Sequence, residues 1–166
     1  MMDIFDHIFK NEIEAIKKLI DAGIDLNIDN SSYTALMYAS ILNNIKITKL
    51  LIEAGADINI QNKYGNTALI YASKYNYIEM VKLLIEAGAN LNIMNNDMNT
   101  ALILSSVNND YISIRKLIES GADVDIKNYE GKLAVDYYEG DKRIFDLTFI
   151  KLEKRKENLN KILKLI

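Results

Sequence analysis

The chain has 166 residues, of which 49% are hydrophobic and 26% are charged, a composition that is typical of one globular domain and excludes a disordered chain. Its net charge is −3 with acidic and basic residues interspersed, which argues against a nucleic-acid-binding surface because such a surface needs clustered Lys and Arg. The absence of Cys excludes disulfides, thiolate catalysis and metal sites built from Cys.

The first residues of the sequence do not read as a signal peptide. Asp3 and Asp6 stand where a basic region would precede an apolar one. No stretch approaches the roughly 18 consecutive apolar residues of a transmembrane helix. We therefore expect no membrane-spanning segment and predict a cytoplasmic protein.

Two helices are predicted before residue 24. Asp3 is a suitable N-cap for a short helix over residues 3–9, Asn11 interrupts the pattern, and Gly23 ends a second, longer helix. The apolar residues at helical spacing are Ile4, Phe5, Ile8, Phe9, Ile13, Ile16, Leu19 and Ile20. Together these features form one structural unit: a short helix, a break, a longer helix and a stop.

The same unit recurs along the chain at a period of 33 residues, which indicates a repeat architecture. One set of repeated positions is Thr34, Thr67, Thr100 and Leu133. A second set is Gly55, Gly88 and Gly121, and Gly23 precedes Gly55 by 32 residues. The break between the two helices is always Asn, a residue that tolerates the left-handed conformation: Asn11, Asn43, Asn76 and Asn109.

The segment after each terminal Gly connects one unit to the next. Alternating stretches such as Ile58-Asn59-Ile60 predict an extended arm, because their period is two. Each arm ends at an Asn: Asn30, Asn62, Asn95 or Asn128. Tyr64-Gly65 and Glu130-Gly131 then predict a hairpin-type turn, and the Thr that follows is suited to cap the next helix.

These motifs resemble the ankyrin repeat over roughly residues 1–150. The resemblance rests on Gly-x-Thr-Ala-Leu-x-x-Ala, on the two short helices, and on Leu-Leu-Ile-Glu-Ala-Gly-Ala-Asp-Ile-Asn. Where the family has Pro, this chain has Ala35, Ala68, Ala101 and Ala134. Where the family has His, it has Met37, Ile70, Ile103 and Asp136, so the hydrogen bonds of that His are missing. One hairpin Gly is replaced by Met98, and the hairpin from Asp29 to Tyr33 is one residue short.

The resemblance implies an all-α ankyrin-repeat solenoid: helix-turn-helix units joined by β-hairpin loops, with N- and C-terminal capping units. We predict one domain over residues 1–166, with units at about 1–31, 32–64, 65–97, 98–130 and 131–166. Stacked units bury apolar faces that no single unit can hide. The long-helix residues expected to do so are Ile47, Leu50, Leu51, Met80, Leu83, Leu84, Ile114, Leu117 and Ile118.

The repeat pattern fades after Gly140, and residues 143–166 read as a C-terminal helix. Its apolar positions are Phe145, Phe149, Leu152, Leu159, Leu163 and Ile166. In one interpretation this helix is a terminal cap whose charged face, with Lys151, Lys154 and Arg155, is solvated. In the other it is a seam for weak self-association or for a partner helix.

Residues with catalytic or metal-binding chemistry are scarce. His7 is the only His, which makes a catalytic dyad or a zinc site improbable, and we expect it to be a surface or packing residue. Asp57, Asn90 and Asp123 recur once per unit, as turn residues do and catalytic groups do not. No Gly-rich loop resembles a phosphate cradle. We therefore predict no enzymatic activity, no cofactor and no metal site.

In ankyrin-repeat proteins the hairpin tips and the inner short helices form a concave face that binds other proteins. The contact positions that the resemblance implies are Ser31, Ser32, Ile41, Leu42, Lys63, Tyr64, Asn66, Lys74, Tyr75, Asn96, Asp97, Asn99, Val107, Asn108, Tyr129, Glu130 and Lys132. Our hypothesis places Tyr64, Tyr75 and Tyr129 at its centre, because aromatic residues are enriched in binding hot spots. The apolar flanks would be Ile41, Leu42 and Val107. The alternative is that these tyrosines pack between units.

Two functions stay open at this point. The favoured one is a monomeric, non-catalytic module that binds one or more unidentified proteins. The alternative is a regulatory or inhibitory subunit that forms a stable complex, or a homo-oligomer, through the C-terminal helix. Neither requires a nucleic acid or a membrane.

Overall fold

A computed structural model describes residues 3–28, 30 and 32–146. In this part of the chain short helices of four to seven residues alternate with helices of nine, and no β-strand is present. The helices are α1 (Ile4–Phe9), α2 (Ile13–Asp21), α3 (Ala35–Ile41), α4 (Ile45–Glu53), α5 (Ala68–Lys74), α6 (Ile78–Glu86), α7 (Ala101–Val107), α8 (Tyr111–Glu119) and α9 (Ala134–Tyr137), followed by a 3₁₀ helix over Lys142–Phe145.

The helices stack into a two-layered solenoid. The short helices α1, α3, α5, α7 and α9 pack side by side, and the long helices α4, α6 and α8 pack against their short partners and against each other. The residues buried between them are Ile16, Ile47, Leu51, Met80, Leu84, Ile114 and Leu117. Leu50 and Leu83 are only partly buried. The predicted all-α repeat fold is therefore confirmed.

Side-chain caps fix where the short helices begin. The hydroxyls of Thr34, Thr67 and Thr100 accept hydrogen bonds from the backbone N–H three residues later, at 3.3, 3.2 and 3.3 Å. Leu133 has no side-chain acceptor at the corresponding position. The Asp136 carboxylate instead accepts a bond from the Leu133 N–H at 2.8 Å, and the helix there has only four residues.

Left-handed residues turn the corners of the first four units, as predicted. The Asn residues between the paired helices have φ between 52° and 58°: Asn11, Asn43, Asn76 and Asn109. The Gly residues after the long helices have φ between 78° and 99°: Gly23, Gly55, Gly88 and Gly121. Asn and Gly are the residues that adopt this conformation at the lowest cost.

The prediction of an extended arm after each Gly is wrong. The chain turns at residues 58–59, 91–92 and 124–125 instead. The Asp57 carboxylate accepts a hydrogen bond from the Asn59 N–H at 2.8 Å, and Asn90 and Asp123 make the same bond at 3.1 and 2.9 Å. A side chain that captures the N–H two residues on forms an Asx turn. The prediction that these three are turn residues is thus confirmed.

Three hairpins are each closed by two backbone hydrogen bonds rather than by paired strands. The N–H groups of Asn62, Asn95 and Asn128 donate to the carbonyl four residues later at 3.0, 3.1 and 3.0 Å, and their own carbonyls accept from the N–H three residues later at 2.8, 2.8 and 2.9 Å. Adjacent hairpins are also joined, because the Asn96 N–H donates to the Tyr64 carbonyl at 3.1 Å. The hairpin tips therefore form a continuous edge on the side of the short helices.

Met98 occupies a position that favours glycine. Its φ is 57°, and the matching residues Gly65 and Gly131 have φ of 72° and 75°. We expect Met98→Gly to raise the free energy of unfolding by roughly 0.5–1 kcal/mol, because it removes the Cβ strain. Urea denaturation measures this change. Met98→Ala is the control, since it shortens the side chain but keeps the Cβ, and a less stable Met98→Gly variant would contradict the expectation.

The described residues continue past α9 and end at Asp146. Residues 142–145 form a 3₁₀ helix, not the start of the α-helix predicted from residue 143. Ile144 is buried, and the Phe145 ring lies 5.9 Å from the ring of Tyr138 in an edge-to-face contact. The rest of the predicted C-terminal helix lies outside the described residues, including Phe149, Lys151, Leu152, Lys154, Arg155, Leu159, Leu163 and Ile166.

Candidate functional site

Buried asparagines organise the hairpin tips. Asn62 is 8% exposed, and its Oδ1 accepts bonds from the N–H groups of Tyr64 and Asn66, both at 3.0 Å. Its Nδ2 donates to the Ser32 carbonyl at 2.8 Å and to the Tyr71 hydroxyl at 2.9 Å. One amide group therefore shapes its own hairpin, links it to the preceding hairpin and ties it to α5.

The next two hairpins repeat this arrangement. The Nδ2 groups of Asn95 and Asn128 donate to the Oδ1 atoms of Asn66 and Asn99 at 3.0 and 3.2 Å. The residues at the family's His position, Met37, Ile70 and Ile103, are apolar and buried. Asparagine side chains therefore link adjacent hairpins in these units, in which the family's His is absent.

Asn66 differs from what was expected of a contact residue, because it is buried. It is 8% exposed and is bonded to Asn95, so it connects two hairpins and presents little surface to a partner. Asn108 is exposed, but its Nδ2 donates to the carbonyls of Ser73 and Lys74 at 2.8 and 3.2 Å. Both residues have a connecting role that their place in the repeat did not reveal.

A row of tyrosine rings runs along the inner side of the short helices. The ring centroid of Tyr71 lies 5.8 Å from that of Tyr33 and 6.2 Å from that of Tyr75, with which it is stacked at 12°. Tyr75 in turn lies 5.8 Å from Tyr77. Tyr71 is 4% exposed and Tyr75 is 44% exposed. Tyr75 therefore contacts rings of its own unit and keeps part of its surface exposed.

A cavity of about 410 Å³ opens between the hairpin tips and the C-terminal end of α5. Its aromatic lining residues are Tyr33, Tyr64, Tyr71 and Tyr75, and we call it the tyrosine cavity. Its other lining residues are Asn66, Lys74, Asn95, Asn96 and Asp97. The cavity lies within the range of about 300–1,000 Å³ that is usual for binding pockets.

The charges around the tyrosine cavity are mixed. Lys63 places its Nζ 5.2 Å from the centroid of the Tyr64 ring, which is a cation–π contact. Lys74 and Asp97 both line the cavity and are exposed. Burial raises the pKa of Tyr33, and the neighbouring hydroxyl of Tyr71 raises that pKa further, so Tyr33 stays neutral at pH 7.

The structure brings some of the predicted contact residues together and separates others. Those in the tyrosine cavity are Tyr64, Asn66, Lys74, Tyr75, Asn96 and Asp97. Tyr129 is 70% exposed but does not line it, and neither do Glu130 and Lys132, which form an ion pair at 2.9 Å on the same hairpin as Tyr129. The cavity thus gathers six of the predicted residues and leaves out Tyr129, one of the three tyrosines at the centre of the hypothesis.

The remaining predicted residues lie around this centre. Leu42 and Val107, at the C-terminal ends of α3 and α7, are 39% and 50% exposed, while Ile41 is partly buried. Asn99 and Ser32 are partly buried. Ser31 lies outside the described residues.

Three lining residues were missed by sequence reasoning: Tyr33, Tyr71 and Asn95. The family pattern points to hairpin tips and to the ends of the short helices, whereas Tyr71 lies in the middle of α5. The available signal was the pair Tyr38 and Tyr71, which are 33 residues apart. The Tyr33 ring contacts both of these rings, with centroid distances of 6.4 and 5.8 Å.

His7 packs between the first two helices. It is partly buried, and its Nδ1 lies 2.6 Å from a carboxylate oxygen of Glu12, which joins α1 to the start of α2. This agrees with the expected packing role. Within the described residues no helix has the length and apolar character that crossing a membrane requires.

Comparison with known proteins places this geometry in a family. A sequence model of the family described as "Ankyrin repeats (3 copies)" matches residues 7–62 and 43–128. No curated protein matches the chain. Ankyrin repeats are generally protein–protein interaction modules and are typically non-catalytic. With its repeated helix pairs and linked hairpins, the chain belongs to the ankyrin-repeat family.

Proposed function

We propose that this chain is a non-catalytic interaction module that binds a partner protein through the tyrosine cavity and the exposed residues beside it. The observation that carries the proposal is the cavity itself, which is lined by four tyrosines from neighbouring units. Tyr64 and Tyr75 are 50% and 44% exposed within it. Large aromatic side chains at a concave, partly apolar site are the usual anchors of protein interfaces.

Exposed apolar residues extend this surface along the short helices. Leu42, Tyr75 and Val107 lie at or next to the C-terminal ends of α3, α5 and α7, and all three are at least 39% exposed. Because α3, α5 and α7 pack side by side, Leu42 and Val107 lie on the helices to either side of the one that carries Tyr75. Exposed apolar residues that cluster on a protein surface are characteristic of an interaction site.

The test compares partner affinity between variants. A partner captured with the full chain should bind the Tyr64→Ala, Tyr75→Ala double variant at least tenfold more weakly, because truncation of a hot-spot aromatic typically costs about 2 kcal/mol or more. Tyr111→Ala is the matched control, since Tyr111 is 43% exposed at the start of α8 and does not line the cavity. Calorimetric titration gives the affinities.

Stability measurements separate binding from packing. Tyr64→Ala should leave the melting temperature nearly unchanged, whereas Tyr75→Ala should lower the free energy of unfolding by roughly 1 kcal/mol because its ring contacts Tyr71 and Tyr77. Unchanged affinity in the double variant would refute the proposal. If deletion of residues 143–166 then abolished binding, the regulatory-subunit alternative would take its place.

A further inference from the structure

The rings of the tyrosine cavity favour a positively charged group. The face of an aromatic ring carries the negative part of its quadrupole and therefore attracts cations. Lys63 already holds its ammonium 5.2 Å from the Tyr64 centroid, which shows that this ring accepts a cation. The Tyr33 hydroxyl is protonated at neutral pH, since an ordinary tyrosine pKa is about 10 and burial raises that of Tyr33 further, so it adds no negative charge.

Asp97 supplies a fixed negative charge at the edge of the same cavity. Its backbone N–H donates to the Asn95 Oδ1 at 3.0 Å, and its carbonyl accepts from the Tyr129 N–H at 3.3 Å. These bonds hold the backbone of the tip. Within the described part of the chain, the Asp97 carboxylate forms neither a hydrogen bond nor an ion pair, so it is available to a cation from outside.

Two lysines oppose a cation: Lys74 lines the cavity, and the Lys63 ammonium lies over the Tyr64 ring. Each ammonium is carried on a flexible four-carbon stem and is strongly hydrated, so both can move into solvent when a ligand enters. Asp97 has a short side chain, and hydrogen bonds hold its backbone in place, so its carboxylate cannot move away from the cavity in the same way. Because both positive charges are mobile and the negative charge is fixed, the cavity favours a cationic ligand over an anionic one.

Among cationic side chains, arginine fits this lining better than lysine. The guanidinium is planar, it stacks on aromatic faces, and its fork of N–H donors matches a carboxylate. Tyr64 and Tyr75 supply half-exposed rings, and Asp97 supplies the carboxylate.

We propose that the tyrosine cavity receives an arginine side chain from an extended, basic segment of the partner protein. The guanidinium displaces the Lys63 ammonium from the Tyr64 ring, stacks on the exposed rings of Tyr64 and Tyr75, and forms an ion pair with Asp97. This inference rests on the proposed function, because it names the partner chemistry of the same site.

The experiment titrates the isotopically labelled full chain with the acetylated and amidated peptide Gly-Ser-Arg-Ser-Gly and follows the backbone amide signals by NMR. Parallel titrations replace the arginine with citrulline, which is its uncharged isostere, or with lysine or glutamate. The arginine peptide should shift the signals of Tyr64, Tyr75 and Asp97 in a saturable way. The citrulline peptide should bind about tenfold more weakly, since it lacks the charge for the rings and for Asp97.

Charge variants identify the group that recognises the arginine. Asp97→Asn should weaken the arginine peptide about tenfold and leave the citrulline peptide unchanged, while Lys74→Gln should strengthen the arginine peptide. Glu130→Gln is the matched control and should change neither affinity, because Glu130 holds the corresponding place on the next hairpin and is paired with Lys132. Melting curves of all three variants show that each is folded.

Three results would overturn the inference: equal affinities for the arginine and citrulline peptides, tightest binding of the glutamate peptide, or shifts that cluster away from the tyrosine cavity. The proposed function has a separate readout. If partner binding depends on Tyr64 and Tyr75 but not on Asp97, and the arginine peptide does not bind, the interaction module stands and the arginine specificity fails. If partner binding does not depend on the tyrosines either, both fail.

Discussion

Gly65→Ala should lower the free energy of unfolding by about 3 kcal/mol, from two separate penalties. Gly65 has φ of +72°, a conformation that is strained for a residue with a Cβ. A Cβ at this position would also lie 2.8 Å from the backbone nitrogen of Asn96 and 2.9 Å from the Cα of Asn95. These are backbone atoms of the next hairpin, so they cannot move aside without disturbing the stack.

Gly131→Ala is the control for this variant. Gly131 has φ of +75°, but an added Cβ would meet no atom within 4 Å. Gly131→Ala should therefore lower the free energy of unfolding only by the cost of the left-handed backbone conformation, about 1 kcal/mol. Equal losses in the two variants, measured by urea denaturation, would show that contact between adjacent hairpins does not limit this position.

Asn62→Ala should also lower the free energy of unfolding by about 3 kcal/mol, because it leaves several buried or partly buried groups without partners. The groups affected are the N–H groups of Tyr64 and Asn66, the carbonyl of Ser32 and the hydroxyl of Tyr71. The variant should also displace Tyr64 and weaken partner binding.

Asn59→Ala is the control for Asn62→Ala. The Asn59 Oδ1 accepts a single exposed hydrogen bond, from the Asn90 N–H at 2.8 Å. Its loss should cost no more than about 1 kcal/mol, since water can replace the missing partner. If Asn59→Ala proved as destabilising as Asn62→Ala, the buried asparagines would not be the groups that organise the hairpins.

Helix positions and corners were predictable because their signals are local. Thr67 caps the helix that follows it, Asn76 turns the corner between the paired helices, and Gly88 ends the long helix, each through the conformational preference of one residue. The extended arms were not predictable from alternation alone. In Ile58-Asn59-Ile60 the alternation reflects partial burial of the two Ile side chains, while the Asp57 carboxylate turns the backbone.

The site was predictable only in part, because it depends on side-chain directions across units. The repeat period locates Tyr64, Tyr75 and Asp97 at equivalent tips and helix ends. It does not show that Tyr33 and Tyr71 turn toward the same cavity, since Tyr33 has Asn66 and Asn99 at its equivalent positions. The distances that bring these rings together are fixed by packing between units, which no local pattern encodes.

The central claim is that a partner protein occupies the tyrosine cavity, and site-specific photo-crosslinking tests it most directly. Photoreactive p-benzoylphenylalanine replaces Lys74 in the cavity wall in one protein, and in a second it replaces Lys49, an exposed residue of the long helix α4. The account predicts a covalent adduct with the partner from position 74 and none from position 49. An adduct from position 49 with none from position 74 would contradict it.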